Sequence, residues 1–192
     1  MRIEVSEETI TVLEDYAGIP IAFEVGTVLD VTEKGGDHCE FFLMERALDI
    51  PYLKDYDAVD GEGPLHWASR FDMSGWGLFT ARVDSRRVGG AAVVFNTPGL
   101  DMLEGREDLA VLWDIRVSPE ARGQGVGSAL FRAAEAWARD RGCRQLKVET
   151  QNINVRACKF YMRQGCVLMT ANRFAYPEFP DEIQLLWYKD LS

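Results

Sequence analysis

Residues 114–127, Asp-Ile-Arg-Val-Ser-Pro-Glu-Ala-Arg-Gly-Gln-Gly-Val-Gly, constrain the fold more than any other part of the chain. The run that leads into them, 110–117, alternates as a strand does and ends at Pro119. Beyond them, Leu130, Ala134, Trp137 and Ala138 fall on one stripe, which predicts a long helix over 126–141 stopped by Gly142. Glycines at 123, 125 and 127 lie between strand and helix. Lacking Cβ atoms, they let a ligand approach the backbone. The helix start presents N–H groups with no internal acceptor, and the helix dipole adds positive charge there. Such a loop can cradle a pyrophosphate, with Arg122 adding a formal charge at its lip. The GxGxG spacing differs from the dinucleotide GxGxxG, and no P-loop lysine is present. Alone, the loop is also compatible with a tight strand-to-helix turn that holds no ligand.

The flanking sequence gives this segment a sheet to belong to. Strands are predicted at 19–32, 76–83, 88–95, 144–150, 166–174 and 183–188, with a hairpin turn at 84–87 and a turn at 34–37. Within 110–117, strict alternation puts Val111, Trp113, Ile115 and Val117 on one face and Leu112, Asp114 and Arg116 on the other. Residues 39–48 fit strand or helix, 100–109 read as a charged loop, and 49–64 as an exposed acidic loop. Tyr52, Tyr56 and the nearby Trp67 make that acidic loop either a substrate-facing segment or one pinned by aromatics. Asn154 caps a second helix that runs to about 164 and stops at Gly165. With no repeat or long linker, the 192 residues are expected to form one domain, a mixed sheet with helices on its faces.

Charge narrows the partners. The net charge is −10, with 18 acidic and 8 basic residues in 1–100 and 13 of each in 101–192. A nucleic-acid binder that relies on a general basic surface is excluded. The acidic first half suits a cationic partner, although solubility alone explains such a charge. Cys39, Cys143, Cys158 and Cys166 have no metal-ligand spacing, and only His38 and His66 are present to assist, so no metal site is expected. The cysteines read as reduced thiols of a cytoplasmic protein. The N-terminus has no signal-peptide pattern, and no run of about 18 apolar residues exists to span a membrane.

Two motifs carry a family resemblance. Arg-Gly-Gln-Gly-Val-Gly at 122–127, after Val117-Ser118-Pro119, resembles the acetyl-CoA signature of the GNAT acetyltransferases, (Arg/Gln)-x-x-Gly-x-(Gly/Ala). Asn-Val-Arg-Ala-Cys-Lys-Phe-Tyr-Met-Arg-Gln-Gly at 154–165 is similar to the family's Asn-x-x-Ala-x-x-Phe-Tyr-x-x-x-Gly. The likeness covers about 75–190 as the core with the acetyl-CoA motifs and is strongest over 111–166, leaving 1–74 as a variable acceptor-side part. Within the superfamily the chain resembles the streptothricin acetyltransferases through Glu149-Thr150-Gln151, Asn152, Asn154 and Ala157-Cys158, through Glu182 with Leu186-Trp187-Tyr188, and through Lys54-Asp55-Tyr56. It departs from them at Cys166, where an aromatic residue is usual, at Leu186, where tyrosine is usual, and in a longer loop at 97–108.

The resemblance implies an α/β GNAT fold, with a mostly antiparallel central sheet flanked by helices. It implies direct acetyl transfer from acetyl-CoA, as cosubstrate, to a small amine, without a metal, nucleic acid or membrane, and it allows a homodimer through the C-terminal strands. Ile115, Arg116 and Val117 would hold the pantetheine arm. Arg122, Gly123, Gln124, Gly125, Val126, Gly127 and Ser128 would hold the pyrophosphate. Asn154 would cap its helix, alone or while also touching coenzyme A, and Tyr161, readable otherwise as core packing, would both contact the cofactor and protonate the departing thiolate. An alkyl amine of pKa about 10.4 arrives charged, so a carboxylate is expected to hold it and relay its proton through water. Asp114 is the first candidate and Glu149 the second, each being equally readable as a strand-end carboxylate paired with a neighbour. Cys158 has no histidine in its motif and is not expected to be a nucleophile. Tyr52, Tyr56, Trp76, Phe174, Tyr176 and Trp187 are acceptor-site walls or core anchors. Acceptors in keeping with the charge are streptothricin-like lysine-bearing compounds, polyamines and aminoglycosides. A protein or peptide amine, or a catalytically weak acetyl-CoA-binding sensor or assembly module, are the alternatives.

Overall fold

The structure is a computed structural model that describes residues 2–35, 40–59 and 61–191. His38, Cys39, Asp60, the second half of the turn at 34–37 and the first residue of the 39–48 segment lie outside the described residues. In chain order the elements are β1 (Ile3–Glu8), α1 (Leu13–Ala17), β2 (Phe23–Lys34), β3 (Glu40–Lys54), α2 (Trp67–Arg70), β4 (Trp76–Val83), β5 (Arg86–Val94), β6 (Leu109–Val117), α3 (Val126–Asp140), β7 (Gln145–Gln151), α4 (Val155–Arg163), β8 (Val167–Asn172) and β9 (Gln184–Asp190). The class is α/β, as expected. The chain divides into two compact units: one comprises residues up to Ala22, Asp55–Leu146 and Leu191, the other Phe23–Lys54 and Lys147–Asp190. Each unit joins an early stretch to a late one.

The first unit carries β1, β4, β5 and β6 side by side, all antiparallel. The hairpin between β4 and β5 turns on two residues, Asp84 at φ 47° and Ser85 at φ 64°, the positive-φ pair that a type I′ turn requires. One correction to the sequence reading lies on β6. Its register passes from Ala92↔Asp114 to Val93↔Leu112, so Trp113 is an extra residue, a β-bulge. Opposed residues of antiparallel strands share a face. Val111 therefore lies with Asp114 and Arg116, opposite Val94, Ala92 and Gly90, and Leu112 lies with Ile115 and Val117. The strict alternation expected for 110–117 fails because one inserted residue inverts the pleat.

That inversion sets what Asp114 and Arg116 face. On their side pack Tyr16, Trp67, Trp76, Leu78 and Val111, with Trp113 and Phe71 alongside. The Tyr16 ring lies against Gly90, where a Cβ would collide with it. The other face takes α3, whose buried Leu130, Phe131, Ala134, Trp137 and Ala138 include the whole predicted stripe. Trp137 Nε1 donates to Glu7 of β1 at 2.9 Å. Gly142, at φ 78°, closes α3 as expected, with Cys143 N–H returning to Ala138 O.

The second unit carries β7, β9 and β8 in that order and, apart from them, an antiparallel ribbon of β2 and β3. The ribbon corrects the expected loop at 49–64: strand continues to Lys54, and loop begins at Asp55. The register jumps from Val25↔Tyr52 to Thr27↔Ala47, and Pro51 sits in the resulting bulge, where no ladder N–H is needed. Asn152, after β7, ties the unit together. Its Nδ2 donates to Leu29 O at 3.2 Å, and its Oδ1 accepts from Ile183 N–H at 2.7 Å. Asn152→Ala leaves both backbone groups without this partner, and a loss of about 2–3 kcal/mol is expected. Urea denaturation checks it; an unchanged midpoint would show that the two groups find other partners.

Candidate active site

In the first unit, the predicted loop is a backbone device. Ser118 N–H bonds Val88 O at 2.9 Å, a short turn over Pro119–Ala121 follows, and Gly123 and Gly125 take φ of 77° and 89°. Gly125 is the N-cap of α3, and the Ala129 N–H already reaches its carbonyl at 3.0 Å. Helix geometry leaves the N–H groups of the first turn pointing out of the helix end. A Cβ on Gly123 would meet nothing within 4 Å, so the loop is open on that side. The side chains fasten the loop from behind. Gln124 Nε2 donates to Glu120 O at 2.7 Å. Arg122 donates to Val117 O at 3.0 Å and to Pro20 O and Ala22 O at 3.3 and 3.2 Å. Its guanidinium is drawn onto backbone carbonyls.

Just ahead of this loop lies a buried charge cluster. The Arg116 side chain is 1% exposed. It donates to both Asp114 oxygens at 3.0 and 2.7 Å, to Asp57 at 2.8 and 3.3 Å, and to Ile19 O at 3.1 Å. Tyr16 hydroxyl donates to Asp114 Oδ1 at 2.6 Å. Burial works against the charged guanidinium, but the Asp114 carboxylate and then Tyr16 and Asp57 more than offset it and hold Arg116 above its usual range. Burial, with the Asp114 charge added, pushes the Tyr16 phenol well up. Asp114 thus has three donor atoms on it from two side chains.

In the second unit, Glu149 stands on β7 with both oxygens engaged. Tyr176 hydroxyl donates to Oε1 at 2.5 Å and Gln184 Nε2 to Oε2 at 2.8 Å. Gln151 Nε2 donates in turn to the Tyr176 oxygen at 2.9 Å. Burial, then the Glu149 charge, pushes the Tyr176 phenol far above its usual range, so it stays a donor. Lys54 and Glu182, quoted separately in the sequence, form one buried ion pair at 2.5 Å, with the ammonium 3.5 Å from the centre of the Phe179 ring. The Tyr52 phenol is raised by burial and by the nearby Glu182 and Asp181 carboxylates.

On α4 the second motif folds as its residues require. Asn154 Oδ1 accepts the Ala157 N–H at 3.1 Å, Gly165 closes the helix at φ 84°, and Tyr161 is buried with its ring 5.3 Å from that of Phe160. Cys158 is fully buried, its thiol 3.6 Å from Gln151 O, and burial pushes it up to about 12. It should react with iodoacetamide at pH 8 far more slowly than in urea-unfolded protein; equal rates would contradict its burial. Cys143 and Cys166 are also buried thiols.

Of the expected walls, Trp76 is core, stacked among Trp67, Trp113 and Phe71, and Trp187 is buried at 1% exposure. Phe174 is 88% exposed and Tyr52 partly so, and Tyr176 is bound to Glu149. Sequence reasoning did not single out Tyr16, Asp57 or the bonding of Asn152. Tyr16 sits on a five-residue helix, too short for a periodic signal. Among the described residues no group of His, Cys, Asp and Glu is arranged to hold a metal, and no helix is long and apolar enough to cross a membrane.

Comparison with known proteins gives this geometry a family. A model of the acetyltransferase (GNAT) family matches residues 42–166. Streptothricin acetyltransferase of Escherichia coli is 31% identical over 151 residues, 77% of this chain and 75% of its own length. Streptothricin acetyltransferase A of Bacillus subtilis (strain 168) is 29% identical over 146 residues, 75% of this chain and 76% of its own. The crystal structure of nourseothricin acetyltransferase superimposes over 100% of both chains with a TM-score of 0.77 at 26% identity. The chain belongs to the acetyltransferase (GNAT) family and is an acetyltransferase enzyme.

Proposed function

We propose that this N-acetyltransferase moves the acetyl group of acetyl-CoA directly to a primary amine of a small cationic molecule of the streptothricin type. The observation that carries the reading is the Glu149 carboxylate, fixed by two neutral donors in the unit that also holds Tyr52 and Asp181. Carboxylates and ring faces are the groups that recognise an ammonium. Relatives named streptothricin acetyltransferases, matched over three quarters of the chain, support the same acceptor.

The other residues take the remaining tasks. Backbone N–H groups of 123–128 receive the pyrophosphate, which the open face at Gly123 and the positive φ of Gly123 and Gly125 suit. The strand backbone at 115–117 aligns the pantetheine arm, and Asn154 adds a contact at the start of α4. The amine nitrogen bonds the acetyl carbon as the carbon–sulfur bond breaks. One ammonium proton leaves by way of Glu149 and water before attack; Tyr161 gives its proton to the departing thiolate, and the second proton shed by the acylated nitrogen restores the phenol. Asp114 serves as counter-charge to Arg116 and holds β6 ahead of the cradle.

Thiol release from acetyl-CoA, measured with streptothricin, lysine, a polyamine, an aminoglycoside and short peptides, tests the reading. The highest kcat/KM is expected with streptothricin. Faster turnover of peptides would move the enzyme to protein amines. Acetyl-CoA binding without turnover of any amine would make it a binding module.

A further inference from the structure

We infer that Tyr176 is a positioning residue for the acceptor, holding the Glu149 carboxylate in the orientation that receives the substrate ammonium. The inference rests on the reading of Glu149 above, and it assigns a function to a contact on the far loop between β8 and β9.

Glu149 is the one acidic residue of β7, and its carboxylate can rotate about its terminal bond unless both oxygens are held. Tyr176 holds one and Gln184 the other, and Gln151 holds Tyr176 in turn. Gln151, Glu149 and Lys147 share one face of β7, because they are two residues apart. The chain of donors runs in one direction: Gln151 amide to Tyr176 oxygen, Tyr176 hydroxyl to Glu149. Gln151 spends its amide on the phenol oxygen, so the phenol proton is left to point at the carboxylate. A phenol and an amide on the two oxygens still leave each oxygen a lone pair for an ammonium.

The loop that carries Tyr176 is anchored independently of it. Lys54 ion-pairs with Glu182 and lies over Phe179, and Ile183 N–H bonds Asn152. Removing the Tyr176 hydroxyl therefore frees the carboxylate without freeing the loop. The charged groups around the pair are Lys147 on β7, whose ammonium lies 5.6 Å from the Tyr188 ring, and Glu182, which acts on Tyr176 and is countered by Lys54. None of these replaces the short bond from Tyr176.

The test is a double-mutant cycle read on the amine and on acetyl-CoA separately. Tyr176→Phe in the parent enzyme is expected to raise the KM for the amine about tenfold, the worth of one hydrogen bond to a charged group. The KM for acetyl-CoA should stay within twofold. In an enzyme already carrying Glu149→Gln, the same substitution should change the amine KM by less than twofold, because a residue that acts through Glu149 has nothing left to orient. A merely structural role would lower both backgrounds alike, and equal effects would overturn the inference. If Glu149→Gln alone leaves the amine KM unchanged, the reading of Glu149 falls and the inference falls with it. If Glu149→Gln raises that KM while Tyr176→Phe does nothing, the inference alone falls. Should Tyr176→Phe melt well below the parent, Gln184→Leu, which removes the donor on the other oxygen, is expected to show the same dependence on background, and its absence there would overturn the inference too.

Discussion

Arg116→Met is expected to destabilise the protein by about 3–5 kcal/mol, the cost of leaving a buried carboxylate without its cation. The side chain is 1% exposed and serves four acceptor oxygens on Asp114 and Asp57 as well as Ile19 O. Methionine fills much of the volume and supplies none of the donors. Asp114 would then keep only the Tyr16 hydroxyl, in a region walled by Trp67 and Trp76. The guanidinium also packs 5.1 Å from the Tyr16 ring centre, so a stacking contact is lost together with the charge. Asp114→Asn, which keeps the shape and halves the mismatch, should cost less. Urea denaturation followed by tryptophan fluorescence measures both, since the cluster holds several of the indoles. A loss below about 1 kcal/mol for Arg116→Met would mean that water reaches the carboxylates and that the cluster does not anchor β6.

Tyr161→Phe is expected to lower kcat by about a hundredfold or more, the usual worth of a positioned general acid. Phenylalanine keeps the ring, and the Tyr161 site is buried on α4 beside Phe160, so helix packing should survive. Acetyl-CoA affinity, measured by calorimetry, should remain within a few-fold of the parent. Loss of affinity in step with kcat would make the residue a binding group, and unchanged turnover would remove it as the acid.

Much of the fold was legible in the sequence because its strongest signals are local. The apolar stripe of 126–141, the Asn154 cap and the glycine stops at 142 and 165 act within a few residues of chain, and the structure has each of them. The hairpin at Asp84–Ser85 was legible for the same reason. What failed was non-local. The bulge at Trp113 exists because β6 must match β5, and nothing inside 110–117 reveals a neighbour's register. The run past Pro51 is strand because β2 reaches back to pair with it.

The site divides along the same line. The Gly123–Gly125 loop and the α4 motif are contiguous stretches, visible in the sequence itself. The partners of the two carboxylates are not. Tyr16 is 98 residues from Asp114, and Tyr176 is 27 from Glu149. Both carboxylates looked alike in sequence, each a strand residue with an acidic side chain. The structure separates them by environment: Asp114 faces a cation with donors of its own, whereas Glu149 is held by two neutral donors.

On the proposed function, acetyl passes from acetyl-CoA to an amine of a small cationic acceptor. Mass spectrometry of streptothricin incubated with acetyl-CoA and a catalytic amount of the protein tests it most directly. The expected product is heavier by one acetyl group, formed over many turnovers and matched by an equal amount of free coenzyme A. Unmodified streptothricin, in a preparation shown to bind acetyl-CoA, would contradict it.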